Sequence, residues 1–304
     1  MKEVKHINIK KGITADELVK EMQNSGVMGA GTIAKAVNIF EKAVKDKDCK
    51  IFLGMAGAMV PGGMKNIIID MVKNKLVHVF VTTGANLTHD LVEGLGHHHY
   101  QGYATADDSK LNEEGIYRMY DSYMKNNVYE DLEDFFKKHF DELKECKNIR
   151  EFLKVLGKLS PENTILNTCY KNNIPIFCPS LADSGIGLIV WGQIVQDKET
   201  KVNAFDDLKE ILDIAWTSKK NAVIYLGGGV PKNYIQQSMQ LSPKKASYGI
   251  QITMDRPEPG GSSGAPLKEG ISWGKMEKEA NYVDVICDVT IALPLIYSSL
   301  KTRL

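Results

Sequence analysis

The run TMDRPEPGGSSGAPLKEGISWGK, residues 253–275, ends in a lysine placed two residues after a tryptophan. A lysine attacks imines or carbonyls once a neighbouring apolar surface disfavours its ammonium form and frees the nitrogen lone pair. In the closing tetrapeptide Ser272-Trp273-Gly274-Lys275, Trp273 would supply that apolar wall and Gly274 would allow close approach, which makes Lys275 the candidate nucleophile. The rest of the run is rich in Gly, Pro and Ser. A segment so poor in helix and strand formers reads as a binding loop or lid.

A second set of residues has the chemistry of a phosphate or nucleotide cradle. Gly227-Gly228-Gly229-Val230-Pro231-Lys232 follows an apolar run, and IFLGMAGAMVPGG occupies residues 51–63. Glycines at such places let backbone amides approach a phosphate closely. The triplet would serve equally as a helix-entry turn, which glycine and Pro231 suit. Asp288 reads either as a ribose hydrogen-bond acceptor or as the cap of a following helix. Three adjacent histidines, His97, His98 and His99, invite a metal reading. Successive residues point in different directions, however, and no HExxH or cysteine partner accompanies them, so no metal is expected there.

These residues need elements to position them. Short apolar runs at 50–54, 77–83, 174–179, 187–191, 222–226, 248–254 and 282–287 read as strands. Stretches at 30–45, 64–74, 129–143, 205–217 and 235–240 return apolar residues at three- and four-residue steps and read as helices. The alternation predicts an α/β fold, Rossmann-like, with a mostly parallel sheet flanked by helices. Ligands of such sheets bind beyond the carboxyl ends of the strands. The residues expected there are small or polar: 54–57, Thr82 to Asn86, Asp183-Ser184-Gly185, 227–229 and Asp288. The GxGxxG fingerprint is absent, so the reading stops at a dinucleotide or phosphate site. The polar stretch 101–114 is expected as a surface excursion.

Composition narrows the class. No linker divides the 304 residues, so one domain over 1–304 is expected. Thirty-eight Lys and Arg balance 38 Asp and Glu, which gives no sign of a nucleic-acid partner. No apolar run reaches membrane-spanning length, so no membrane role is expected. Five scattered cysteines without a CxxC pair or a leading signal segment point to reduced thiols in a cytoplasm.

The 51–63 run, the triple glycine and the SWGK tetrapeptide together resemble the deoxyhypusine synthase family from about Gly31 to the C-terminus, the triple glycine and SWGK keeping the family's order and approximate spacing. The resemblance implies an NAD-dependent aminobutyl transferase in which Lys275 carries the aminobutyl group as an imine, with Trp273 and Glu269 lining the amine site. It assigns NAD contacts to Gly57, Ala58, Thr83, Gly84, Ala85, Asp183, Gly228 and Asp288. The implied donor is spermidine, the acceptor a lysine of the translation factor that carries hypusine, and the assembly a homotetramer.

This chain departs from the family's eukaryotic pattern in ways that bear on the donor. Thr88-His89 stand where two adjacent acids are common, Leu188 replaces a carboxylate after Asp183, Asn233 replaces a histidine after the GGG-x-x-Lys run, and Ser262 replaces an acid in the Gly/Ser loop. Carboxylates there would pair with polyamine ammonium groups. His89 and Asn233 are counted with the substrate-binding residues, and Asp90, His89 and Glu269 are expected to compensate in part. The pattern is similar to the archaeal branch and to bacterial deoxyhypusine-synthase-like proteins. Agmatine as donor, transfer to a small diamine as in homospermidine synthesis, and NAD binding without turnover stay open as alternatives.

Overall fold

A computed structural model of the chain describes residues 1–196, 200 and 202–304. In chain order the strands are β1 Cys49–Met55, β2 Val79–Thr82, β3 Tyr100–Gln101, β4 Ile116–Met119, β5 Ser122–Lys125, β6 Ile176–Phe177, β7 Lys220–Leu226, β8 Ala246–Thr253 and β9 Met276–Ile286. Among the described residues they form one sheet in the order β6-β2-β1-β7-β8-β9 and a small antiparallel one in the order β3-β5-β4. The chain divides into two compact units: Met1–Ala56, Leu76–Val81 and Lys209–Leu304 make one, and Gly57–Lys75 with Thr82–Leu208 make the other.

In the first unit, β1 and β7 carry near-continuous apolar runs and β8 is buried along most of its length, as strands must be when helices cover both faces of a parallel sheet. β1 pairs with β7 in parallel from Cys49↔Lys220 to Met55↔Leu226. β8 pairs with β9 in parallel, but between Ala246 and Tyr248 the register slips, so that Tyr248 faces Asn281 while Ala246 faces Met276. β9 begins directly after Lys275 and carries exposed Glu277, Lys278 and Glu279 along the sheet edge, where charge discourages pairing with another strand. Helix Met28–Lys45 buries Ile33, Val37 and Phe40 and packs on β8 and β9, while helix Gly229–Leu241 packs on β1 and β7.

In the second unit, helix Gly84–Gly94 follows β2, and helix Gly185–Ile194 packs against it. The 187–191 run, expected as a strand, lies inside Gly185–Ile194. A short run that is apolar all round has no period to separate strand from helix, and Ser184 decides the matter by capping the Gly187 amide at 3.1 Å. The helix expected over 129–143 is two, Val128–Lys138 and Phe140–Lys144, separated at His139. The 101–114 stretch is a largely exposed excursion holding helix Asp108–Glu113, with Leu111 buried.

Candidate functional site

The sequence-assigned residues fall on both units, and each group is built within its own. In the first, the 253–275 loop is regular only at the short helix Glu269–Ser272. That helix ends in a Schellman motif: the Gly274 amide donates to Ile271 and the Lys275 amide to Gly270 at 2.8 Å. Gly274 occupies the left-handed position at φ 65°. Its expected role of close approach gives way to this one, since a Cβ at Gly274 would meet only the end of Lys245 at ordinary contact distance. The Lys275 carbonyl accepts from the Ala246 amide at 3.1 Å, so the nucleophile's main chain is held on both sides. Its side chain is half-buried, with Nζ 5.0 Å from the centroid of the Trp273 ring. Burial holds the Lys275 pKa below the ordinary lysine value, and the exposed Glu269 pulls the other way.

Lys232, left without a role by its motif, grips this loop. It is 1% exposed, and its Nζ donates to the carbonyls of Ser262 and Ala265, each at 2.6 Å. Burial brings its pKa down to about 8. Asp284 accepts from the Leu267 amide at 3.0 Å, Gln251 donates to Ala265, and the Gly229 amide donates to Ser263 Oγ at 2.8 Å. The signal for Lys232 was its place on the apolar stripe of its helix, in line with the buried Ile235, Gln236 and Met239. Gly228 is the N-cap of that helix, and a Cβ there would lie 2.3 Å from Ser263 Cα, so only glycine admits the loop. Asn233, on the same helix, is half-exposed. Asp288 caps helix Val289–Arg303 through the Thr290 amide and hydroxyl, both on Oδ1.

In the second unit, Thr83 caps helix Gly84–Gly94 by accepting from the Asn86 amide, and Ala85 is exposed on its first turn. Asn86, expected among the small or polar strand-end residues, ties this helix start to the 57–60 turn: its Nδ2 donates to the Gly57 carbonyl at 2.9 Å, and its Oδ1 accepts from Val60. Gly57 has φ 74°, and Ala58 is exposed beside it. Asp183 is exposed on the loop before helix Gly185–Ile194, and Leu188 is 63% exposed on that helix.

Thr88 and Asp90 cannot stand in for missing acids. Thr88 is buried, donating to the Gly84 carbonyl and accepting from the Ile186 amide. Asp90 is fully buried and caps helix Ile165–Lys171, accepting from the amides of Ile165 at 2.8 Å and Leu166 at 2.9 Å. Of the neighbours Thr88, His89 and Asp90, only His89 is not fully buried. The histidine triplet diverges: His97 meets Asp131, His98 is exposed, and His99 joins Glu93 and His89. Among the described residues no three His, Cys, Asp or Glu gather as a metal site, and no helix is long and apolar enough to cross a membrane.

The family model for deoxyhypusine synthase matches residues 17–300. A Methanosarcina mazei protein named probable deoxyhypusine synthase 1 is 45% identical over 99% of this chain and 95% of its own length. A protein of the same name from Archaeoglobus fulgidus is 40% identical over 97% of this chain and 96% of its own. The fold is shared with a crystal structure from Entamoeba histolytica described as a deoxyhypusine synthase, at TM-score 0.69 and 20% identity, covering 97% of this chain and 96% of that one. The lysine on its rigid turn, the glycine triplet packed under the Ser263 loop and this likeness along the whole chain lead to one placement: the chain belongs to the deoxyhypusine synthase family.

Proposed function

We propose that the protein is an NAD-dependent aminobutyl transferase that passes the four-carbon amine of spermidine, or of a related amine, through an imine on Lys275 to a lysine of the hypusine-carrying translation factor. The observation that carries this reading is Lys275 itself, half-buried beside Trp273 with a lowered pKa and a main chain fixed on both sides. A lysine so held gives up its proton more readily than an exposed one, and its main chain is aimed.

The chain's residues suit the cofactor. Helix Gly84–Gly94 and helix Gly229–Leu241 each begin at the carboxyl end of a strand, where amides lacking an intrahelical carbonyl favour phosphate. Gly228 offers no side-chain cap, and Asp288 keeps Oδ2 without a hydrogen-bond partner among the described residues. NAD would supply the hydride acceptor at the start of the cycle and the donor at its end, so no net redox change results.

Lys275 then does the covalent work. Its neutral Nζ adds to the carbon of the oxidised donor's C=N bond. The bond from that carbon to the departing nitrogen breaks with its electron pair on that nitrogen, and diaminopropane leaves with a proton. The acceptor's amine adds to the same carbon with loss of a proton, the bond to Lys275 Nζ breaks with its electron pair on Nζ, and Lys275 is free while the new imine awaits reduction. Glu269 and Trp273 present a carboxylate and an indole face to a cationic chain. With Thr88 and Asp90 committed inside the protein, the polyamine would meet fewer carboxylates than in family members carrying the acid pair. That is why a related amine stays within the proposal.

Borohydride trapping tests the reading. Protein incubated with NAD and spermidine, or with NAD and agmatine, is reduced and mapped by mass spectrometry, with Lys275→Ala as control. An aminobutyl adduct on Lys275 with spermidine supports spermidine as donor, and an adduct with agmatine alone assigns a changed donor. No adduct with any amine removes the transferase reading and leaves NAD binding without turnover.

A further inference from the structure

The small β3-β5-β4 sheet is built around tyrosines that no motif announced. Strand β5 lies between the other two, and Tyr123 on it stands opposite Tyr100 of β3 and Arg118 of β4. Directly opposed residues lie on one side of a sheet, so these three share a face. Met124, next along β5, points to the other face and is buried. Two further tyrosines flank the open face. Tyr103 follows β3 and is 76% exposed, and Tyr120 begins the turn from β4 to β5 and is 75% exposed.

Both exposed tyrosines are carried on a main chain that is held. The Tyr123 hydroxyl accepts from the Tyr103 amide at 2.9 Å and donates to the Tyr103 carbonyl at 3.1 Å. Gly102 leaves room for the Tyr123 ring, from which a Cβ would lie only 2.2 Å away. The Gly102 amide donates to the Asp121 carbonyl at 2.8 Å, which ties the chain before Tyr103 to the turn that carries Tyr120. Arg118 Nη1 donates to the Tyr120 carbonyl at 2.9 Å and to the Ala104 carbonyl at 3.4 Å, while its Nε and Nη2 each meet an Asp108 oxygen at 2.7 Å. Tyr120 itself sits at φ 59° in a two-residue hairpin turn closed by the pair Met119↔Ser122. Such a position suits glycine or asparagine and strains an aromatic residue. A ring so exposed gains little packing in return, and the strain points to a use outside the chain.

Charge selects the occupant. Asp108 pairs with Arg118, which leaves Asp107, Glu113, Glu114 and Asp121 exposed against Lys110 and Lys125 over the same stretch. Electron-rich ring faces beside surplus carboxylates attract a cation. A nucleic-acid strand would also stack on tyrosines, but it would bring its phosphates into that surplus. We propose that the open face of the β3-β5-β4 sheet is a docking surface for a lysine- or arginine-bearing segment of a partner protein, with the rings of Tyr103 and Tyr120 as its anchors. Tyrosines supply contact area at a low cost in side-chain freedom, and here Tyr123 and Arg118 fix the main chain that carries them before a partner arrives. The surface lies wholly within the second unit and needs no chemistry at Lys275.

Fluorescence anisotropy on the full chain tests it, with a labelled peptide of alternating lysine, arginine and glycine as one probe and labelled oligouridine as the other. Wild type should bind the peptide at low salt, and binding should weaken as salt is added. Tyr103→Ser and Tyr120→Gly should each weaken it about tenfold, whereas Tyr120→Phe keeps the ring face and should stay within about twofold. Glycine relieves the turn at φ 59°, so Tyr120→Gly should melt no lower than wild type, and its loss of binding is then not a failure to fold. No binding of the peptide by wild type, equal binding by the Tyr103→Ser and Tyr120→Gly variants, or tighter binding of oligouridine overturns the proposal. An equal loss in Tyr120→Phe overturns the ring face as the anchor. A change in the mass of Tyr103→Ser or Tyr120→Gly by sedimentation also overturns it, and assigns the face to contact between copies of this chain.

Discussion

Lys275 Nζ sits 5.0 Å from the centroid of the Trp273 indole, two residues back along the chain. Two effects compete there. The ring's face attracts the ammonium, by about 0.5–1 kcal/mol at an exposed site, while the ring's bulk removes water from it. Burial is the first cause of the lowered Lys275 pKa, and we expect desolvation to outweigh the attraction of the ring. Trp273→Ala should therefore move the pH midpoint of adduct formation on Lys275 upward and slow it about tenfold near neutrality. Trp273→Phe should fall between. A midpoint unmoved in Trp273→Ala would mean that other groups desolvate the lysine.

The grip of Lys232 on the loop gives a second test. Lys232→Met removes the Lys232 donor from the Ser262 carbonyl and leaves the Ala265 carbonyl with Gln251 alone, at a cost of about 1–3 kcal/mol for a group left buried and unpaired. Amide exchange at Ser263, Leu267 and Lys275 should quicken in the variant before global unfolding does. The pH dependence has a definite sign. With a folded pKa of about 8 against 10.5 ordinarily, the unfolded chain binds the extra proton between those values. Wild-type stability should thus rise relative to Lys232→Met as pH increases across that window, in denaturation measured at pH 7.5 and at pH 10.

How much of this was legible follows from the range of each signal. The parallel sheet could be read because β1 and β7 hold continuous apolar runs with β-rich segments such as β8 alternating with helices, and the strand-end residues could be read from their small side chains. The loop ending in Lys275 showed itself by lacking helix and strand formers. The bonds that hold the site span long stretches of sequence: Lys232 reaches Ala265, and Asp90 reaches Leu166. Periodicity carries no trace of such pairs. Asp90 looked like an amine-binding acid because the sequence shows its charge and conceals its two amide partners. The GLIVW run misled for a different reason, since an unbroken apolar stretch fits a buried strand and a helix equally.

Asp90 yields a third prediction. Burial pushes its carboxyl up to about 7 despite the amides of Ile165 and Leu166, so the folded state holds the proton more tightly than the unfolded chain. Between about 4 and about 7 the contribution of Asp90 to stability should therefore decline as pH rises. Asp90→Asn sets an amide NH₂ against one of the two backbone donors and should lower stability by about 1–3 kcal/mol, read by thermal melting. The ratio of spermidine to agmatine adducts should not change. A shift in that ratio would place Asp90 back among the amine-binding groups.

Gly274 separates positioning from stability. At φ 65° an alanine is strained by roughly 1–2 kcal/mol, while asparagine tolerates the left-handed region. The two hydrogen bonds that close the turn end on Gly274 and Lys275 themselves, so relieving the strain means releasing the lysine's amide from Gly270. Gly274→Ala should lose adduct formation by far more than its melting temperature falls, and Gly274→Asn should keep most of both. If the two variants lose adduct equally, the left-handed turn is not what aims Lys275. If alanine costs only stability, the lysine is held instead by its carbonyl's bond to Ala246, and the register slip between β8 and β9 becomes the feature that sets its place.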